Sequence, residues 1–206
     1  MKSRIFRSAV VFVAAVSAVV VGSGFAQASP ATPGRSARVL PAGARTVKMT
    51  VSGVNRQVAE SHGFKVVTAP DGTQHAAPTP AAINPDGTPY YSKKHPRNVV
   101  EGDCGDSYLW IHAVGGYVSE IETGFDLDDA AIGFYWRVNR SDPYGSDSNS
   151  WGGGLGLDTS WTGEWDVHGG GPGWETAGVV TPVSDALLWD GDICTSGGPG
   201  DTEYIV

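Results

Sequence analysis

Residues 132–140 read Ile-Gly-Phe-Tyr-Trp-Arg-Val-Asn-Arg. Phe134, Trp136 and Val138 fall on one side of an extended chain, and Tyr135, Arg137 and Asn139 on the other. That is the period of two required by a half-buried β-strand. The alternation recurs on both sides of this stretch. In Ser107 to Val114, Leu109, Ile111 and Ala113 oppose Tyr108, Trp110 and His112; in Tyr117 to Thr123, Tyr117 and Ile121 oppose Val118, Glu120 and Glu122. Further on, Trp161, Trp165 and Val167 oppose Glu164, Asp166 and His168, and shorter strands are expected at Ala177 to Val183, Ala186 to Trp189 and Thr202 to Val206. Glycine and aspartate turns separate them, and no amphipathic helix of useful length interrupts them. The pattern predicts an all-β protein, an antiparallel β-sandwich of about 7–8 strands within residues 98–206.

Leu, Ile, Val and Phe make up only 23 of those 109 residues, so Trp and Tyr, 12 in number, must supply much of the core. Each such ring buries roughly 150–250 Å². The chain as a whole, with 29 Gly and 17% charged residues, excludes a coiled coil or helical bundle.

Charge and composition change together near residue 97. From Ser29 to Arg97 the balance is nine Lys or Arg against three acids; from Asn98 on it is Arg137 and Arg140 against nineteen acids. Nine of the 13 Pro lie in the first segment and all seven Trp in the second. The expected organisation is therefore a basic, Pro-rich, partly disordered arm over 29–97, then an acidic Trp- and Gly-rich domain over 98–206. Within the arm, residues 46–75 are expected to be structured. Thr46 to Val51 reads as a strand, Asn55 to His62 as a helix stopped by Gly63, Phe64 to Thr68 as a second strand, and Asp71-Gly72 as a tight turn. So small a unit must dock on the main domain, act as a pro-segment or stay mobile.

Residues 1–28 carry the three parts of a secretory signal peptide: Lys2, Arg4 and Arg7, the apolar run Ser8 to Val21, and Ala26-Gln27-Ala28. Export to the extracellular space is expected, with no membrane span in the mature chain. In an oxidising compartment the only two cysteines, Cys104 and Cys194, are expected to form a disulfide closing the two ends of the sheet stack.

Functional candidates divide into three sets. Trp151, Trp161, Trp165 and Trp174, with Asp142 and Asp147, lie in a tract holding the triplets Gly152 to Gly154 and Gly169 to Gly171. Indole faces beside backbone that a ligand can approach closely suit a glycan or cell-wall component. The opposing expectation is that Trp161 and Trp165 face inward and that Trp151 and Trp174 plug the sheet ends. Glu164, Asp166 and His168, with the pair Glu120/Glu122, give the carboxylate spacing a glycosidase would use, and equally what a solvated sheet face shows. Asp126, Asp128 and Asp129, and Asp142, Asp147 and Asn149, are candidate calcium ligands, though turn residues bonding their own backbone look the same. No nucleophile motif, nucleotide loop or basic nucleic-acid stripe is present. The sequence thus points to a monomeric, exported binding module. Its rivals are a small hydrolase and a protein-interaction or inhibitor domain presenting Pro143 to Ser150.

Overall fold

The computed structural model describes residues 44–90 and 103–206. Twelve strands and one short helix follow in order: β1 (Arg45–Val54), α1 (Arg56–Ser61), β2 (Phe64–Thr68), β3 (Gln74–Pro78), β4 (Asp103–Gly115), β5 (Val118–Leu127), β6 (Ala131–Asp142), β7 (Gly145–Gly154), β8 (Ser160–His168), β9 (Gly173–Val179), β10 (Asp185–Leu188), β11 (Asp192–Ser196) and β12 (Gly200–Ile205). No helix among the described residues is long and apolar enough to cross a membrane.

Ten strands form one antiparallel hydrogen-bonded path, β12-β9-β6-β10-β11-β1-β4-β5-β8, with β7 on the other edge of β6. The path doubles back on itself. Phe125 on β5 packs against Trp136 on β6 at 5.2 Å, and the Ser119 hydroxyl on β5 bonds Glu175 on β9, although these strands are far apart along the path. Two layers therefore face one another across a single core, the expected sandwich. Its centre is Trp136, fully buried, whose indole N–H donates to the Thr123 hydroxyl at 2.9 Å. Around it pack Leu109, Ile111, Ile121, Phe125 and Val138, the inward sets of the alternating strands.

Two strands in 103–206 lie outside the expected set. β7 falls in a stretch expected to be loop, and β11 is only five residues long. The triplet Gly152 to Gly154 is extended and pairs with Tyr135, Phe134 and Gly133. An added Cβ at Gly152 would come within 3.2 Å of the Phe134 carbonyl and 3.4 Å of the Tyr135 ring, so the glycine leaves room for its neighbour's aromatic side chain.

The compositional boundary at residue 97 is not a boundary in the packing. β1, from the basic segment, lies between β4 and β11 and pairs with both. Its burial alternates until Met49, the one fully buried residue, enters the main core. The expected disulfide is present, with its cysteines 90 residues apart. Instead of closing the ends of the stack, it joins β4 to β11, the two neighbours of β1. Cys104 occupies the irregularity where Met49 pairs with Gly105 and Thr50 with Asp103.

The rest of the 46–75 unit forms as expected, then continues. Asn55 caps α1 by accepting from the Val58 N–H, and Gly63 ends it at φ +79°. β2 and β3 form a hairpin through Asp71-Gly72, and the same turn recurs at Asp86-Gly87 in the stretch expected to be linker. This unit has its own small core of Ala59, Phe64, Ala76 and Ala82 closed over Trp189. The Asn55 N–H donates to the Gly191 carbonyl at 2.7 Å, and the Ala76 N–H to the Asp192 carboxylate at 2.5 Å, so of the three fates the sequence left open, docking is the one observed. The rest of the expected arm, residues 29–43 and 91–97, and the expected signal peptide lie outside the described residues.

Candidate functional site

One end of the sandwich gathers exposed aromatics. The β4–β5 turn places Tyr117, the β6–β7 turn Tyr144, the start of β9 Trp174 and the end of β12 Tyr204, exposed by 46, 55, 63 and 44% respectively. Hydrogen bonds tie these segments together. Tyr117 donates its N–H to the Val206 carbonyl and accepts from the Gly169 N–H at 2.7 Å, while the Tyr144 hydroxyl donates to the Pro172 carbonyl. The second glycine triplet fits this arrangement: an added Cβ at Gly170 or Gly171 would fall 2.9 or 2.6 Å from atoms of Tyr144. Trp174 and Tyr204 are directly opposed across β9 and β12, and their rings meet edge to face at 5.3 Å. The stretches 113–117, 143–146, 169–174 and 204–206 contain no Asp, Glu, Lys or Arg, in a half of the chain that is otherwise strongly acidic.

Beneath this end lies a buried polar layer. Arg140 and Asp142 form an ion pair with side chains only 10 and 8% exposed, and Glu175, 1% exposed, accepts from the Ser119 hydroxyl. Burial raises the pKa of Asp142, but bonds from the Tyr144 and Gly145 N–H groups and the Arg140 guanidinium outweigh it and hold the carboxyl below its ordinary value. Asp142 thus fixes the turn that carries Tyr144.

From the Trp174 and Tyr204 pair the outer face of the sheet runs along β7, β6, β9 and β12. Its first cross-strand row is Ser146, Ser141, Thr176 and Thr202, all exposed. The next is Ser148, Asn139, Gly178 and Gly200, and then come Ser150 and Arg137. Hydroxyl and amide groups in register, with glycine between them, present donors and acceptors on a surface low enough for a flat ligand to lie against.

The six residues expected to form a ligand rim do not share one surface. Trp151, Trp161 and Trp165 pack against the main core, and Trp161 meets Phe134 at 4.6 Å and Trp151 at 5.6 Å. Of the four, Trp174 alone is exposed. Asp142 is structural, and Asp147 is exposed on β7, its carboxylate accepting from the Ser148 N–H. Pro143 to Ser150 is a tight turn entering β7, not a projecting loop. Asp129 accepts from the Trp189 indole and the Ala130 N–H, and among the described residues no group of three His, Cys, Asp or Glu is placed to hold a metal ion.

Glu164, Asp166 and His168 lie exposed on β8, on the outer face of the other layer. Glu164 stands opposite Glu122 and Asp166 opposite Glu120, beside the stacked rings of Trp110 and His112 at 5.0 Å. Glu122 is buried and accepts from the Tyr108 hydroxyl at 3.3 Å. The carboxylate pair with unlike surroundings is therefore Glu122 and Glu164 across two strands, which spacing within one strand could not reveal. Tyr117 and Tyr204 fall in expected strands and Tyr144 in an expected loop, so nothing in their local spacing marks the three as neighbours.

No protein-family model matches the chain, and no curated protein or solved structure shows significant similarity to it.

Proposed function

We propose that the protein is an exported binding module whose aromatic end, centred on Trp174, takes an extracellular glycan. The observation that carries the reading is the Trp174 and Tyr204 pair: a 63% exposed indole held against a second ring, at the head of a face of hydroxyls and amides. Leaving so large an apolar face in water forgoes about 1.5–3 kcal/mol of burial. Sugar rings have apolar faces that stack on indoles and hydroxyl edges that need donors and acceptors, and both are within reach here. Export is supported by the signal pattern of residues 1–28 and by a disulfide that needs an oxidising compartment.

The test is a pull-down with insoluble polysaccharides, chitin, cellulose and peptidoglycan, and a glycan array, comparing the native chain with Trp174→Ala. Retention of the native chain and its loss in the variant is the expected result. Equal behaviour of the two would remove the reading.

A further inference from the structure

The distribution of charge on the β7-β6-β9-β12 face narrows the class of glycan, an inference that rests on the glycan reading above. From Asn98 on, the chain holds nineteen acids, yet none occupies the rows that run from Trp174 and Tyr204 to Ser150 and Arg137. Of the two arginines in this half, Arg140 is buried against Asp142, and Arg137 stands exposed on the face. Its guanidinium donates to the Ser148 hydroxyl at 3.1 Å, and no described carboxylate forms an ion pair with it.

A second guanidinium borders the same surface. Arg45, exposed at the start of β1, lines a groove of about 180 Å³ with Thr176 and Thr202. The one carboxylate in that groove, Asp201, already accepts from the backbone N–H groups of Ile111 and Thr202. At the opposite margin Asp185 pairs with Tyr135, and burial pushes its carboxyl above the ordinary carboxylate value.

We infer that this face binds an anionic polysaccharide, its sugar rings on Trp174 and Tyr204 and its carboxylates met by Arg137 and Arg45. Guanidinium recognises carboxylate in a planar, two-bond geometry, and Arg137, bonded to a hydroxyl and not to a carboxylate, is available for that bond. Trp174 precedes Thr176 by two residues and Arg137 precedes Ser141 by four, and Thr176 pairs with Ser141, so rings and cation are separated by about 20 Å at the strand rise. A chain of several sugars fits that span; a monosaccharide does not. Glu120, Glu164 and Asp166 repel a polyanion from the outer face of the other layer.

The experiment is affinity electrophoresis of the full secreted chain in gels containing polygalacturonate, alginate or hyaluronate, each against its methyl-esterified form, which keeps the backbone and removes the charge. The expected result is at least tenfold tighter binding to one or more of the acidic polymers than to its ester. In Arg137→Gln that preference falls to near unity while binding to the ester persists, and in Trp174→Ala both are lost. Near-ultraviolet circular dichroism confirms that each variant is folded. Equal affinity for acid and ester, a preference that survives in Arg137→Gln and Arg45→Gln, or no retention by any acidic polymer overturns the inference. If Trp174→Ala binds as the native chain does, it is the glycan reading itself that falls.

Discussion

Cys104 and Cys194 are joined across β1, the strand hydrogen-bonded to the strands of both. A segment that composition assigns to a basic arm is thereby enclosed between two strands that are also covalently linked. Its positive charge is incidental to that position. Lys48 and Thr50 project outward while Met49 goes into the core.

A chain beginning at Asn98 therefore lacks an interior strand, not a tether. It exposes the paired edges of β4 and β11 and uncovers Trp189, so it is expected to show no cooperative thermal transition, at low or high salt alike. Electrostatic docking of an arm would instead give a modest loss of melting temperature that shrinks as salt rises. A salt-dependent loss on an otherwise cooperative transition would contradict the position of β1. In the intact chain, replacing both cysteines by serine is expected to lower stability by about 4–5 kcal/mol, from the loop entropy of a bridge spanning 90 residues; urea denaturation measures it.

Stability should fall as pH rises from about 4 to about 7. Asp190 sits in the β10–β11 turn under α1, where burial, then the neighbouring Asp192 and Asp129 carboxylates, push its pKa up to about 7. The sign follows from linkage. Below the unfolded-state value both states are protonated and nothing is lost; between the two values only the unfolded state ionises, which favours unfolding; above about 7 the penalty is constant. At 1.36 kcal/mol per unit its full size is on the order of 4 kcal/mol. Asp190→Asn keeps an oxygen to accept from the Asp192 N–H and removes the charge, so its stability should exceed that of the native chain at pH 8 and match it at pH 4. Parallel curves for the two proteins would show that Asp190 titrates normally.

Gly171→Ala is expected to weaken glycan retention without unfolding the protein. Its Cβ would lie 2.6 Å from the Tyr144 hydroxyl oxygen, so the ring must leave its bond to the Pro172 carbonyl. Crowding of this kind costs about 1–3 kcal/mol. A melting temperature lowered by a few degrees with binding unchanged would place Tyr144 outside the site.

Most of the fold was legible because residues of opposite polarity alternate in β4, β5, β6 and β8, and burial on one face leaves no other register open. β7 was not, since residues 145–154 carry one large apolar side chain, Trp151, and the glycines that suggested a loop pair with β6 to leave space for its rings. Nor was the place of β1, because pairing partners that lie more than fifty residues away leave no trace in local composition. The site was half legible. Trp161 and Trp165 alternate with Glu164 and Asp166, a spacing that puts both indoles inward, whereas the exposure of Trp174 depends on its partner strand β12 covering only its edge. Which tyrosines join it is decided by where three separate turns and the end of β12 meet.

Two tryptophans from the same tract should consequently respond in opposite ways. Trp161 contacts the rings of Phe125, Phe134, Trp136 and Trp151, and truncating it opens a cavity at the centre of that cluster. Trp161→Ala is expected to cost about 3–5 kcal/mol. Trp174 has one ring neighbour and most of its surface in water, so Trp174→Ala should stay within about 0.5 kcal/mol of the native chain, as exposed substitutions do. Binding reverses the order: Trp174→Ala loses retention on the glycan, while Trp161→Ala, assayed below its melting temperature, keeps it. The pair separates contact from scaffold, because a variant that loses affinity only by partial unfolding would lose stability as well. Should Trp174→Ala prove as destabilising as Trp161→Ala, the indole is a plug for the end of the sheet and its exposure has no bearing on recognition.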